Sequence, residues 1–318
     1  MRLIFLGTAP FAVPAFRRLR AGPHLVAAVL TQPDRPQGRS RGIFPSAVKE
    51  AAQITGTPVF QPENLDAPEV VRQIQTLKPD FAIVVAYGRL LSCSFLNLFP
   101  QGVYNLHASL LPKFRGAAPI PWALIRGETE TGVTIFRIDE QLDHGPVLLQ
   151  RRMPILPEED AVSLTGRLAE LGAEAIEQAV EQITAGPVSL QSQEEPLATW
   201  APRLSKESGR IDWKQTSRQI HNLVRGVQPW PGALTRIGKE DLKIHTASSD
   251  PARNDPSLAP GTLALASAAQ GLWVQTGQGQ LRIDRLQEAG GKVLPAADYL
   301  HGHPLRPGDR FQISSPSA

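Results

Sequence analysis

The segment Val103-Tyr104-Asn105-Leu106-His107-Ala108-Ser109-Leu110-Leu111-Pro112 holds the residues best suited to chemistry in this 318-residue chain. Its apolar start predicts a strand over 103–107, and residues two apart on a strand share a face. Asn105 and His107 therefore point together into one pocket at the carboxyl end of the strand, where open parallel sheets bind ligands. Asn supplies a neutral hydrogen-bond donor and His a proton carrier that works near neutral pH. The pair suits the stabilisation of an oxyanion and the movement of a proton. The plain alternative is that a histidine at a strand end is a hydrogen-bonded structural residue. A third group follows the next predicted strand, in Asp139-Glu140-Gln141-Leu142-Asp143-His144-Gly145. This loop is expected to bring Asp143 to the same sheet edge, where a carboxylate fixes the tautomer of His107 and favours its protonated form. No serine or cysteine lies in an obvious nucleophile turn, so the three residues read as a direct-transfer site rather than a covalent one.

Other chemistries lose support. Gly7-Thr8-Ala9-Pro10-Phe11-Ala12 follows the first predicted strand, but one glycine stands where a dinucleotide fingerprint needs three, and Pro10 and Phe11 occupy positions of close backbone approach. Asp34 then reads as a turn residue rather than a ribose ligand. No phosphate-binding loop ending in Gly-Lys-Ser/Thr occurs. The lone Cys93 excludes an internal disulfide framework and a cysteine-based metal cluster, and a reducing, cytoplasmic setting is expected. No metal is expected. No apolar run approaches the roughly 20 residues of a membrane span, and Leu3–Leu6 is too short for a secretory leader.

Short apolar runs alternating with amphipathic stretches predict an α/β domain with an open, mostly parallel sheet. Strands are expected at Leu3–Leu6, Leu25–Leu30, Phe81–Ala86, Val103–His107, Val133–Ile138 and Val147–Arg151. Helices are expected at Val13–Arg20, Ser46–Ile54, Ala67–Leu77, Pro119–Ile125 and from about Ala161 to Ile183. The last carries Leu164, Leu168, Leu171, Ala175, Ile176, Val180 and Ile183 on one stripe and stops at Gly186-Pro187. From about Ser189 the text turns polar and irregular. Beyond it, after one helix at Ser217–Arg225, come short alternating runs at Leu242–Thr246, Leu272–Thr276 and Leu281–Leu286, which suggest a small β-barrel. The expected organisation is a domain over 1–190 that carries the chemistry, a linker over 191–208 and a barrel domain over 209–318.

The formal net charge of +3 is unevenly spread. Residues 203–318 hold 15 Lys+Arg against 10 Asp+Glu, and residues 1–202 hold 18 against 20, giving +5 and −2. A basic knot, Pro33-Asp34-Arg35-Pro36-Gln37-Gly38-Arg39-Ser40-Arg41, sits inside the acidic part. It reads either as a solvated loop or as a nucleic-acid contact. Trp200, Trp213, Trp230 and Trp273 read as core residues first and as base-stacking surfaces second.

Asn105-x-His107, the run Ser109-Leu110-Leu111-Pro112-Lys113-Phe114-Arg115-Gly116-Ala117-Ala118-Pro119-Ile120 and the later Leu142-Asp143-x-Gly145 resemble the folate-dependent formyltransferase family. Thr31-Gln32-Pro33-Asp34-Arg35-Pro36, Val85-Ala86-Tyr87-Gly88, Leu204-Ser205-Lys206-Glu207 and Ile211-Asp212-Trp213 carry the resemblance along nearly the whole chain. It implies a Rossmann-like domain binding 10-formyltetrahydrofolate, then a linker and an OB-fold-like barrel. The implied activity is formyl transfer from that donor to the α-amine of initiator methionyl-tRNA, for translation initiation, by a cytoplasmic monomer with no membrane contact. The resemblance puts Asn105, His107 and Asp143 on the catalytic triad, and Ser109, Leu110, Leu111, Pro112, Tyr87 and Gly88 on the folate. It puts Arg39, Arg41 and Lys206 on the tRNA.

Three departures stand against the family pattern: Ala9 precedes a displaced Pro10, Gln141 and His144 replace the usual glycine and threonine near Asp143, and the basic loop is short of lysines. Two alternatives share parts of this reading. One is a folate formyltransferase or hydrolase acting on an amino sugar nucleotide or on formyltetrahydrofolate itself. The other is a non-catalytic nucleic-acid-binding protein.

Overall fold

The computed structural model describes residues 1–37 and 42–312, so Arg39 and Arg41 lie outside the described residues. Two compact units are present. The first comprises Met1–Pro119, Glu130–Pro154 and Thr165–Ala201; the second comprises Ile120–Thr129, Ile155–Leu164 and the chain from Pro202 onward. Residues 191–201 of the expected linker thus belong to the first unit. Their backbone is hydrogen-bonded to it, Thr199 N–H to the Pro112 carbonyl and Ala201 N–H to the Arg115 carbonyl.

The first unit is built on a seven-stranded sheet in the order Val59–Phe60, Leu25–Leu30, Arg2–Gly7, Phe81–Val85, Val103–His107, Glu130–Arg137, Val147–Pro154. The first five are parallel; Glu130–Arg137 runs against them, and Val147–Pro154, antiparallel to it, returns to their direction. Leu3–Leu6 and Phe81–Val85 are buried throughout, as expected for strands covered on both faces. The strand expected at Val133–Ile138 starts three residues earlier. Glu130 and Thr131 are polar, yet they pair with Pro154 and Met153 at the antiparallel edge. Ser46, expected inside a helix, is its cap: its hydroxyl accepts the Lys49 N–H ahead of Ala47–Ile54. The helix Ala161–Ala185 buries Leu164, Leu168, Ile176, Val180 and Ile183. A Cβ on Gly172 would lie 2.6 Å from Leu106 Cδ2, so this glycine lets the helix press on the middle of the Val103–His107 strand. Leu106 faces the helix, and its neighbours Asn105 and His107 face the other way.

The second unit is an antiparallel sheet in the order Leu263–Ser267, Gly271–Gln275, Gln280–Glu288, Glu240–Asp250, Ala233–Ile237, Phe311–Gln312, with Val293–Pro295 beside Gln280–Glu288. An antiparallel bridge between Thr262 and Arg310 brings the ends of this path together, which curls the sheet into a small barrel. Ser217–Gly226 opens on a capping box between Thr216 and Gln219 and sends Ile220, Leu223 and Val224 into a core with Ile244, Leu272 and Leu281. Trp213 is buried and stacks on Phe311. Trp200 and Trp230 are 61% and 52% exposed, which corrects the expectation of core packing for both. Each lies in a proline-bordered loop rather than on an alternating strand, so no sheet face takes it inward.

Candidate active site

Asn105 and His107 share one face of their strand, beside Phe136 and Thr134 of the antiparallel neighbour. Because Glu130–Arg137 runs antiparallel, its carboxyl end lies beside Tyr104, and the loop after it does not leave from the edge where His107 sits. Asp143 still reaches the histidine. His107 Nδ1 stands 3.7 Å from Asp143 Oδ2, with the two side chains 6% and 11% exposed. On the other side of the ring, Nε2 lies 2.8 Å from the Phe114 carbonyl. A carbonyl can only accept, so Nε2 carries the proton and Nδ1 faces the carboxylate. The Asn105 carboxamide is half-buried, and among the described residues it meets no hydrogen-bond partner. The sheet face thus presents one unengaged amide beside an imidazole whose Nε2 is hydrogen-bonded and whose Nδ1 faces a carboxylate.

Local backbone aims the aspartate. Asp143 adopts φ +50°, a left-handed conformation that is strained for a residue with a side chain. Gly145 follows, where a Cβ would fall 1.8 Å from the Arg137 carbonyl, so only glycine fits. Asp143 Oδ2 also accepts the Gly116 N–H at 2.8 Å. His144 turns to Asp139, with Nδ1 2.6 Å from its carboxylate, and stands 3.3 Å from Glu195 through Nε2. The residue that departs from the family pattern is tied to other carboxylates rather than to Asp143.

The Ser109–Pro112 loop is fastened at its base. Thr134 Oγ1 donates to the Ser109 carbonyl at 2.6 Å and accepts the Leu111 N–H, while Gln150 Nε2 donates to the Leu111 carbonyl. Ser109 Oγ donates to the Lys113 carbonyl, and Leu110 packs over Gly132, where a Cβ would come within 2.6 Å of its methyl. The Leu111–Pro112 peptide is cis. Tyr87 is placed otherwise: its ring lies in a core with Ile4, Leu6 and Phe95, its hydroxyl has no partner among the described residues, and burial pushes its pKa up. Its carbonyl accepts from Thr8 Oγ1 and Gln32 Nε2, and Gly88 follows at φ +84°. Lys206 is exposed in the second unit, away from this constellation in sequence and unit.

A formyl transferase family match covers residues 1–180, and a formyl transferase C-terminal domain match covers residues 203–304. The methionyl-tRNA formyltransferase of Geobacter metallireducens is 46% identical over 98% of both chains, and that of Trichlorobacter lovleyi 44% identical over 96% of this chain and 95% of its own. The chain belongs to the methionyl-tRNA formyltransferase family. More distant structures share the fold. The N-formyltransferase from Helicobacter canadensis, solved with folinic acid and dTDP-3-aminofucose, superposes with a TM-score of 0.65 at 17% identity, over 90% of this chain and 99% of its own. HypX from Aquifex aeolicus, in complex with tetrahydrofolic acid, gives 0.64 at 19% identity, over 99% of this chain and 51% of its own.

Sequence reasoning missed Thr134 and Gln150, which fasten the Ser109–Pro112 loop, and Gln193, which bonds the carbonyl of Asp143. Thr134 and Gln150 lie opposite one another on paired strands, and that polar pair beside the apolar Val133, Ile135 and Leu149 was the available signal. Gln193 sits in irregular polar text and carried none.

Proposed function

We propose that this chain transfers the formyl group of 10-formyltetrahydrofolate to the α-amine of initiator methionyl-tRNA. The observation that carries the reading is an unengaged Asn105 amide beside the Asp143-held His107, in a chain whose relatives at 42–46% identity bear the name of that activity. The donor supplies an electrophilic formyl carbon and a nitrogen leaving group. Asn105 donates its N–H to the formyl oxygen as negative charge develops there, and the Nε2–H of His107 is a second donor once it is shared between Phe114 and that oxygen. The amine–carbon bond forms and the bond from the formyl carbon to the folate nitrogen breaks, while His107 gives its Nε2 proton to that nitrogen and takes the proton lost by the amine back at Nε2. Asp143 keeps the imidazole oriented and balances its charge during the relay.

Ser109, Leu110, Leu111 and Pro112 wall the donor site, with Tyr87 and Gly88 contributing backbone. Arg39, Arg41 and Lys206 hold tRNA phosphates. The first unit, which takes in 191–201, carries the chemistry, and 202–208 lead to the tRNA-facing barrel of 209–318.

The test offers the protein 10-formyltetrahydrofolate with initiator methionyl-tRNA, elongator methionyl-tRNA or a nucleotide-linked amino sugar. Formylmethionine from the initiator is expected, and formylation of the sugar alone would overturn the reading.

A further inference from the structure

Gln193 lies fifty residues beyond Asp143 in a segment that the sequence marks only as polar, yet it touches the backbone of the aspartate loop twice. Its Nε2 group donates one hydrogen to the Asp143 carbonyl at 2.9 Å and the other to the Gly145 carbonyl at 2.8 Å. Its Oε1 accepts from Arg115, 3.1 Å from Nε and 2.9 Å from Nη2. The Arg115 guanidinium is 3% exposed, and two more of its hydrogens go to Glu195, at 3.1 and 2.6 Å. Arg115 also precedes Gly116, whose N–H holds the Asp143 carboxylate. The amide is therefore oriented: a buried cation takes its oxygen, which leaves the NH2 to donate to the two carbonyls. We infer that Gln193 is a positioning residue for formyl transfer, clamping the strained Asp143-to-Gly145 turn so that the carboxylate faces His107. A left-handed residue such as Asp143 persists only where its surroundings over-determine it, and these two N–H bonds with the Gly116 contact supply that.

This inference rests on the proposed reaction, and its test separates the two. Wild type, Gln193→Ala, Gln193→Glu and Glu195→Gln are compared in single-turnover and steady-state formylation of initiator methionyl-tRNA, with the thermal midpoint of each recorded. Gln193→Glu keeps an oxygen for Arg115 but offers no N–H to the two carbonyls. Both Gln193 variants are expected to lose about ten- to a hundred-fold in kcat, as for small misplacement of a catalytic group, with KM for donor and tRNA unchanged. Glu195→Gln still gives Arg115 an acceptor and is expected to keep most of the rate. A residue that merely pins the segment would let Gln193→Glu retain wild-type kcat, and that result, or a loss confined to KM or to folded protein, overturns the inference. An inactive wild type would instead overturn the reaction.

Discussion

At the scale of single residues, the decisive question is whether His107 moves a proton or only fills a hydrogen bond. Its Nε2 donates to the Phe114 carbonyl, so a structural histidine and a catalytic one make the same contact in the resting protein. Substitution separates them. His107→Gln can still donate an amide N–H to that carbonyl but cannot carry a proton, so it is expected to fold with a near-native thermal midpoint and to lose about a hundred- to ten-thousand-fold in single-turnover rate. Asn105→Ala, which removes an oxyanion donor, is expected to lose about a hundred- to a thousand-fold. Neither should weaken tRNA binding, measured by filter retention, and a near-normal rate in either variant would remove that residue from the mechanism. Both were legible in the sequence because strand alternation alone puts them on one face. The φ of Asp143 and the approach of His144 to Glu195 were not, since they involve Gln193 and Glu195, each about fifty residues away.

At the scale of elements, apolar runs located the central strands because continuous burial leaves a plain signal. The antiparallel turn at Glu130–Arg137 left none, since direction is set by the connection and not by strand composition. Ala233–Ile237 and Leu263–Ser267 escaped for another reason: barrel pairing, not their own mixture of Ala, Thr, Ser and Arg, makes them strands. The 191–201 segment shows the same limit, because two of its polar side chains, Gln193 and Glu195, serve the buried Arg115. That pairing has a measurable pH signature. The Arg115 guanidinium holds the Glu195 carboxyl below its ordinary range, with His144 adding to the effect. A depressed folded-state pKa means that the unfolded chain takes up the proton first. The pair's stabilisation is therefore complete above the ordinary glutamate value of 4.5 and is lost as the pH falls from there through the folded-state value. Urea unfolding of wild type and Glu195→Gln across that acid window should show a steeper loss for wild type. Parallel curves would mean that the ion pair stabilises nothing beyond what a neutral amide provides.

At the scale of the whole molecule, +3 says little about a polyanionic partner, but its distribution says more. The chain from residue 203 carries +5, and part of that is already neutralised. Arg236 pairs with Asp241 and Arg282 with Asp284, each at 2.7 Å, and Arg210 pairs with Glu207. Lys206 is exposed, and among the described residues it has no carboxylate partner. A cation already paired releases few counterions when it meets a phosphate, because its field is largely cancelled, whereas an unpaired one displaces condensed ions from the nucleic acid. The logarithm of methionyl-tRNA affinity should therefore fall linearly with the logarithm of salt concentration. Lys206→Ala should flatten that slope by about one unit, and Arg39→Ala and Arg41→Ala should each do the same. Arg236→Ala, which breaks an internal pair, should leave the slope where it was while wild-type formylation persists at low salt. If all four variants share the wild-type slope, the phosphate contacts lie elsewhere on the barrel, and the local excess of charge around Lys206 has no part in holding the tRNA.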